Sequence, residues 1–184
     1  GEEGFDRLVE MTRSVKDAAG LPVMISPGVV PEALFPRLRG AGADWYACYQ
    51  ETHNRKLYNS LRPGQDFSLR YNSKIAAHGA GLLTEEGLLT GIGESSEDIA
   101  DSLQAMRTLA TDQVRVMTFV PQAGTPMENI TPPDPHREST IIALMRIAFP
   151  DRLIPASLDV DGLDGLKERL DAGANVVTSI VPPG

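Results

Sequence analysis

Three polar side chains lie on or directly after two predicted strands. Arg115 belongs to the alternating segment 113–119, in which the intervening positions are β-branched and suit a sheet face covered by helices. Arg115 is therefore predicted to point to the opposite face, the sheet interior. A guanidinium keeps its charge there and needs an anion. Ser157 and Asp159 share one face at the end of another predicted strand.

Two interpretations fit these residue types. An arginine for a carboxylate and an aspartate for an ammonium form a receptor for a zwitterionic amino acid. A structural ion pair between Arg115 and Asp159 explains them equally well, because buried arginines are commonly paired with acids. The sequence leaves both interpretations open.

Glu51 and Arg70 form a second candidate pair of opposite charges. Glu51 follows a predicted strand, and Arg70 lies in the helical region after it. The two could bind the ammonium and carboxylate of one ligand. Solvated surface charges of a helical protein give the same pattern, so this pair carries little weight on its residues alone.

Other candidate motifs are weaker. The turn 91–94, Gly-Ile-Gly-Glu, lacks the third glycine of a dinucleotide fingerprint and the Lys-Ser/Thr of a P-loop, so an ordinary tight turn is predicted. Cys48 is the only cysteine, which excludes a disulfide, a cysteine-ligated zinc site and a self-ligated iron–sulfur cluster. We interpret it as a core residue. The three histidines show no metal-ligand spacing, and no metal site is predicted.

Amphipathic helices and short apolar strands alternate along the chain, which is typical of βα units with a parallel sheet. The helices are predicted near residues 3–19, 31–40, 53–61, 67–80, 96–110, 136–149 and 162–172. The strands are predicted at 21–26, 43–49, 87–91, 113–119, 152–157 and 175–180. Because almost every strand ends in polar or Gly/Pro residues, we favour part of a (βα)₈ TIM barrel, about strands three to eight, over an open doubly wound sheet.

Composition limits the partners. The 184 residues carry a formal net charge of −8, and no Lys/Arg-rich segment occurs. This argues against nucleic acid or an anionic membrane surface as the main partner. No apolar stretch approaches the roughly 20 residues that span a bilayer, and the first residues do not resemble a signal peptide. We expect a single cytoplasmic domain over 1–184 and leave its oligomeric state open.

Several segments resemble the methylornithine synthase family of pyrrolysine biosynthesis, within the biotin synthase and hydrogenase-maturase branch of radical S-adenosylmethionine enzymes. At branch level these are a Glu-Thr after a strand, a Gly-x-Gly strand end and a Pro-x-x-Gly-Thr-Pro turn at 121–126. The strings Arg-Val-Met-Thr-Phe at 115–119 and Ile-Pro-Ala-Ser-Leu-Asp at 154–159 are more specific. The resemblance covers nearly the whole chain.

The resemblance implies a barrel that holds a 4Fe–4S cluster and S-adenosylmethionine, generates a 5′-deoxyadenosyl radical and rearranges L-lysine into 3-methylornithine. By position it implies that Glu51 and Arg70 hold the methionyl ammonium and carboxylate of S-adenosylmethionine. It further implies that Arg115, Ser157 and Asp159 hold the amino-acid substrate. The residues that guide the radical are not identified.

The sequence departs from the family in one respect. The family's three-cysteine cluster loop after the first strand is absent here, and Cys48 cannot replace three thiolates. We therefore expect the later portion of a radical enzyme, inactive by itself and without its cluster ligands. The alternatives are an enzyme of the same branch with another substrate, and a non-catalytic amino-acid-binding module.

Overall fold

The computed structural model describes residues 2–158 and 162–178. Within them, helices and strands alternate as predicted. The helices are α1 Glu2–Ala19, α2 Phe35–Gly40, α3 Arg55–Leu61, α4 Phe67–Gly79, α5 Ser96–Thr108, α6 Arg137–Ala148 and α7 Leu166–Asp171, with a 3₁₀ turn at Glu32–Leu34 before α2. The strands are β1 Val23–Ile25, β2 Ala43–Ala47, β3 Leu83–Thr90, β4 Gln113–Thr118, β5 Pro155–Ser157 and β6 Val176–Thr178.

The strands are parallel and follow one another in chain order. β1, β2, β3 and β4 form one sheet, and β5 and β6 form a second. The Val114 N–H donates to the Leu153 carbonyl at 3.0 Å, and the Leu153 N–H donates to the Asp112 carbonyl at 3.2 Å, so backbone hydrogen bonds also link β4 to the chain entering β5. This consecutive order, without the reversal of a doubly wound sheet, is that of a barrel wall.

Two apolar clusters fill the space between the strands and the outer helices. The first lies under α1 and α2 and includes Phe35 and Tyr46; the second lies under α5 and α6 and includes Met106 and Ile142. Val114 and Val116 of β4 are buried in the second cluster. Because side chains alternate along a strand, Arg115 faces away from the helices, and the predicted parity is confirmed.

The prediction for β3 was too short. It began at residue 87, whereas β3 begins at Leu83. The missed residues include the adjacent carboxylates Glu85 and Glu86, which are typical of a solvated surface. Both are fully buried, and they point to opposite faces of the strand.

Glu86 forms an ion pair with α4 on the helix side of β3. Its Oε2 lies 2.5 Å from Lys74 Nζ, and its Oε1 accepts the N–H groups of Gln50 and Gly87. Lys74 also donates to the Cys48 carbonyl and to Gln50 Oε1. This cluster of buried polar groups fixes α4 against the ends of β2 and β3.

Side-chain caps define where the helices near the strand ends begin. Ser95 and Asp98 form a capping box at the start of α5, and each side chain bonds the other residue's backbone N–H. Asn54 caps α3, and Asp66 caps α4. The α3–α4 hairpin is therefore anchored at both helix starts.

None of the helices in residues 2–158 and 162–178 is long and apolar enough to cross a membrane.

The Lys74–Glu86 pair gives a stability prediction. Lys74→Met leaves the Glu86 carboxylate buried without its counter-ion, and we expect a loss of about 3–5 kcal/mol in the free energy of unfolding. Lys56→Met on exposed α3 surface is the matched control and should change it by less than about 0.5 kcal/mol. Urea denaturation followed by circular dichroism measures both. A loss equal to that of the control would contradict the assigned role of the pair.

Candidate functional site

Glu51 lies just beyond the C-terminal end of β2 in a strained backbone conformation. Its φ is +68°, a region that residues other than glycine seldom adopt. β3 holds it there, because the Glu51 N–H donates to the Gly87 carbonyl at 3.1 Å and the Glu51 carbonyl accepts from the Leu89 N–H at 2.9 Å. Such strain occurs preferentially at functional positions. The backbone therefore fixes the direction of this carboxylate.

The Glu51 carboxylate is only half paired. Oε1 accepts from Arg62 Nη2 at 2.9 Å, whereas Oε2 is buried and has no hydrogen-bond partner in the part of the chain that the structure describes. Burial raises the pKa of the Glu51 carboxyl above its ordinary 4.5, and the charge of Arg62 offsets this only in part. A ligand cation at Oε2 would supply the missing contact.

A cavity of about 250 Å³ opens beside this carboxylate. Polar side chains from the segment after β2 and from the α3–α4 hairpin line it together with apolar side chains from α3, β3 and the following loops. The lining residues are Gln50, Glu51, Thr52, Tyr58, Leu61, Arg62, Gln65, Leu89, Ile92, Phe119 and Met127. The cavity suits a ligand with a cationic end and an apolar body.

Arg70 lies near Glu51 but does not contact it. Arg70 Nη1 donates to Cys48 Sγ at 2.9 Å, and Nη2 donates to Gln65 Oε1 at 3.0 Å. It lines a neighbouring cavity of about 330 Å³, which shares Tyr58 and Gln65 with the first. The two predicted cofactor residues thus line adjacent cavities, and the cation that touches Glu51 is Arg62, which the sequence analysis missed.

Arg115 is held on the inner face of the sheet by Glu85. Its Nε donates to Glu85 Oε1 at 2.7 Å, which also accepts from Gln113 Nε2 at 2.6 Å. The Tyr49 hydroxyl donates to Glu85 Oε2 at 2.9 Å, and burial followed by the Glu85 charge raises the pKa of Tyr49. Sequence analysis missed Glu85. In the structure it lies opposite Gln113 in the β3–β4 register.

The other predicted substrate residues are only partly described. Ser157 is buried at the end of β5, the next strand after that of Arg115. Asp159 lies outside the described residues, so its pairing with Arg115 stays a prediction.

The Gly-x-Gly turn is filled by a side chain of the chain itself. The Glu94 carboxylate accepts from the N–H groups of Gly91 and Ile92, at 2.9–3.1 Å, and from the Thr90 hydroxyl at 2.7 Å. It also pairs with Arg137. The predicted structural turn is confirmed, because these amides are engaged by Glu94.

Cys48 is buried in the first apolar cluster, as predicted. Within residues 2–158 and 162–178, no three His, Cys, Asp or Glu side chains lie close enough together to hold a metal ion. A 4Fe–4S cluster bound through cysteines does not fit the residues of this chain.

Known proteins share both the sequence and the fold. The chain is 49% identical over 177 residues to the 3-methylornithine synthase of Methanosarcina acetivorans, covering 96% of this chain and 51% of that protein. The crystal structure of a methylornithine synthase matches with a TM-score of 0.92 at 48% identity, over 97% of this chain and 53% of that one. Over nearly all of its length, the chain is thus similar to the 3-methylornithine synthases of the radical S-adenosylmethionine family.

A hydrogenase maturase is also similar in sequence. The FeFe-hydrogenase maturase subunit HydE of Thermotoga maritima is 30% identical over 183 residues, covering 96% of this chain and 52% of that protein. No protein-family model matches the chain. The chain spans about half the length of the curated relatives it matches. The predicted resemblance and the predicted partial barrel of the radical S-adenosylmethionine type are confirmed.

The inner cluster changes what a substitution of Arg115 can reveal. Arg115→Met leaves buried Glu85 without its cation, and we expect a loss of about 3–5 kcal/mol in unfolding free energy whatever lies opposite on β5. The double variant Arg115→Met/Glu85→Gln should recover more than half of this loss. Exposed Arg13→Met is the control. Chemical denaturation measures all four proteins, and a double variant no more stable than Arg115→Met would contradict the pairing.

Glu94 gives a pH prediction. Burial alone would raise the pKa of its carboxyl, but the hydrogen bonds from Thr90 and the Gly91 amide lower it below its ordinary 4.5. Glu94 therefore stabilises the fold above the pKa it has when unfolded, and this contribution is lost as the pH falls through its folded pKa. We expect Glu94→Gln to cost about 1.5–3 kcal/mol at pH 7 and progressively less below pH 4.5.

Thermal melts of Glu94→Gln and of the exposed control Glu97→Gln between pH 7 and 3 test this expectation. A destabilisation by Glu94→Gln that does not change with pH would contradict it.

Proposed function

We propose that this chain supplies the cofactor-facing and substrate-facing wall of an enzyme that converts L-lysine into 3-methylornithine. The observation that carries the proposal is the buried, half-paired carboxylate of Glu51, fixed at the C-terminal end of a parallel sheet beside an amphiphilic cavity. Functional groups of barrel enzymes gather at this end of the strands. The likeness to 3-methylornithine synthases supplies the reaction.

The cavity residues suit the methionyl part of S-adenosylmethionine. Glu51 Oε2 would accept from its ammonium, and Arg70, from the adjacent cavity, would donate to its carboxylate. Leu89, Ile92 and Phe119 offer an apolar surface to the carbon chain. An unpaired buried carboxylate oxygen is costly in the free protein, so a ligand cation at that position gains both a contact and relief of the desolvation penalty.

Bound S-adenosylmethionine, with a 4Fe–4S cluster, would supply a carbon-centred radical that abstracts hydrogen from substrate. Three thiolates for that cluster would come from sequence other than these 184 residues, since Cys48 is the one cysteine here. This chain would contribute orientation and exclusion of water, which decide the product of so reactive a species.

The inner face of β4 and β5 would hold the amino-acid substrate. Glu85 engages the Nε of Arg115, which leaves the two terminal nitrogens of the guanidinium for a planar carboxylate. Ser157 and Asp159 would complete the site on the neighbouring strand, with Asp159 accepting from an ammonium. The Tyr49 and Gln113 contacts to Glu85 would keep Arg115 in one rotamer during the reaction.

Titration of the chain with S-adenosylmethionine tests the cofactor site. We expect Glu51→Gln to lower affinity about ten- to a hundredfold, the equivalent of one charge-assisted hydrogen bond. Because the pKa of Glu51 is raised, its ionised form is lost at a higher pH than that of an ordinary glutamate. Affinity of the unaltered chain should therefore decline on acidification at a higher pH than the titration of an ordinary glutamate would give, and affinity of Glu51→Gln should not.

Exposed Glu10→Gln, on α1, is the matched control for the calorimetric titrations. Equal affinity of Glu51→Gln and the unaltered chain at pH 7.5 would refute the placement of the cofactor.

A further inference from the structure

Two guanidinium groups converge on the side chain of Gln65. Its Oε1 accepts from Arg70 Nη2 at 3.0 Å and lies 3.5 Å from Arg62 Nη1. Like charges brought together repel, and an amide oxygen carries only a partial negative charge to offset this. An anion at the position of the Gln65 oxygen would be contacted from both sides. The hairpin between α3 and α4 is thus arranged around a place for a carboxylate.

Arg62 also contacts the Glu51 carboxylate. Its Nη2 donates to Glu51 Oε1, so one guanidinium connects Glu51 to the point where the two cations converge. An amino acid carries its ammonium and carboxylate on one carbon. The adjacent Glu51 and Arg62 groups, joined at 2.9 Å, present the complementary charges at matching spacing. Glu51 Oε2 stays open to the ammonium while Oε1 accepts from Arg62 Nη2.

The backbone separates the fixed member of this pair from the adjustable one. Glu51 is bonded to β3 on both its N–H and its carbonyl, so it cannot move without breaking sheet contacts. Arg62 ends α3 and is followed by Pro63 and by Gly64 with φ +78°. Its side chain is 26% exposed and can change rotamer to meet a ligand.

A third polar group lies between the two cavities. The Tyr58 hydroxyl is buried and has no hydrogen-bond partner within the described ranges, and Tyr58 lines both cavities. A ligand carboxylate near Gln65 would offer that hydroxyl an acceptor. This buried hydroxyl lies beside the Arg70 guanidinium and marks the same place.

We propose that Arg62 is a second guanidinium for the ligand carboxylate, acting with Arg70, and that it makes the site selective for zwitterionic amino-acid ligands over simple cations. The inference rests on the proposed function, since it takes the methionyl group of S-adenosylmethionine as the ligand. It assigns to Arg62 a role in specificity that the Glu51–Arg70 pair alone does not provide.

Paired ligands separate a binding role from a structural one. The probes are S-adenosylmethionine and its decarboxylated form, which keeps the ammonium and sulfonium and lacks the carboxylate. We expect Arg62→Gln to weaken S-adenosylmethionine binding about tenfold or more while changing affinity for the decarboxylated form less than threefold. Exposed Arg13→Gln is the charge-matched control. A structural defect would lower the affinity for both ligands alike.

Gln65→Glu gives a second, independent variant. It places a carboxylate of the chain itself where the ligand carboxylate would bind, with Arg62 and Arg70 as its partners. We expect a higher melting temperature and at least a tenfold loss of S-adenosylmethionine affinity, with no loss for the decarboxylated form. Exposed Gln104→Glu adds the same charge elsewhere and should do neither.

The outcomes distinguish the two proposals. Loss of S-adenosylmethionine affinity in Glu51→Gln with unchanged affinity in Arg62→Gln would overturn the role of Arg62 and leave the cofactor site standing. Unchanged affinity in Glu51→Gln, or no binding by the unaltered chain, would overturn both. Equal losses for the two ligands in Arg62→Gln would also overturn the inference, because the carboxylate would not be what Arg62 recognises.

Discussion

The two adjacent carboxylates of β3 impose the constraint from which the rest of the site follows. Glu85 and Glu86 are fully buried and point to opposite faces, so each needs its own cation. Lys74 in the helix layer forms an ion pair with Glu86, and Arg115 in the barrel interior forms one with Glu85. β3 therefore holds α4 against its outer face and Arg115 against its inner face.

Contacts with β3 also position the candidate cofactor site. Glu86 accepts the Gln50 N–H, and the backbone of Glu51 bridges to β3 immediately beyond. The strained φ of Glu51 is a consequence of this clamp: the chain leaves β2, meets β3 once more, and only then turns towards α3. The carboxylate is directed by sheet hydrogen bonds, which are harder to displace than the side-chain contacts of a loop.

Local sequence patterns predicted the layer in which a side chain lies better than they predicted which charged residues are buried and paired. Alternation along β4 placed Arg115 inside, because this pattern depends only on sequence neighbours. Glu85 and Glu86 could not be recognised as buried residues in the same way. Two adjacent carboxylates are typical of exposed surface, and only the cations that neutralise them indicate burial. Those cations lie 12 and 30 positions away along the chain, on other elements. Arg62 was missed for the same reason, although a cation 11 residues after Glu51, at the end of the next helix, was a weak signal for it.

The site also shows a division between rigid anions and adjustable cations. Glu51, Glu85 and Glu86 lie on strands or are bonded to them, whereas Arg62 and Arg70 lie on the α3–α4 hairpin that frames the cavities. In the proposed site, a zwitterion would contact both classes at once, its ammonium on the sheet and its carboxylate on the hairpin. Binding would therefore tie the hairpin to the barrel wall, and the free energy of that contact would be available to order the groups around the reacting carbon atoms.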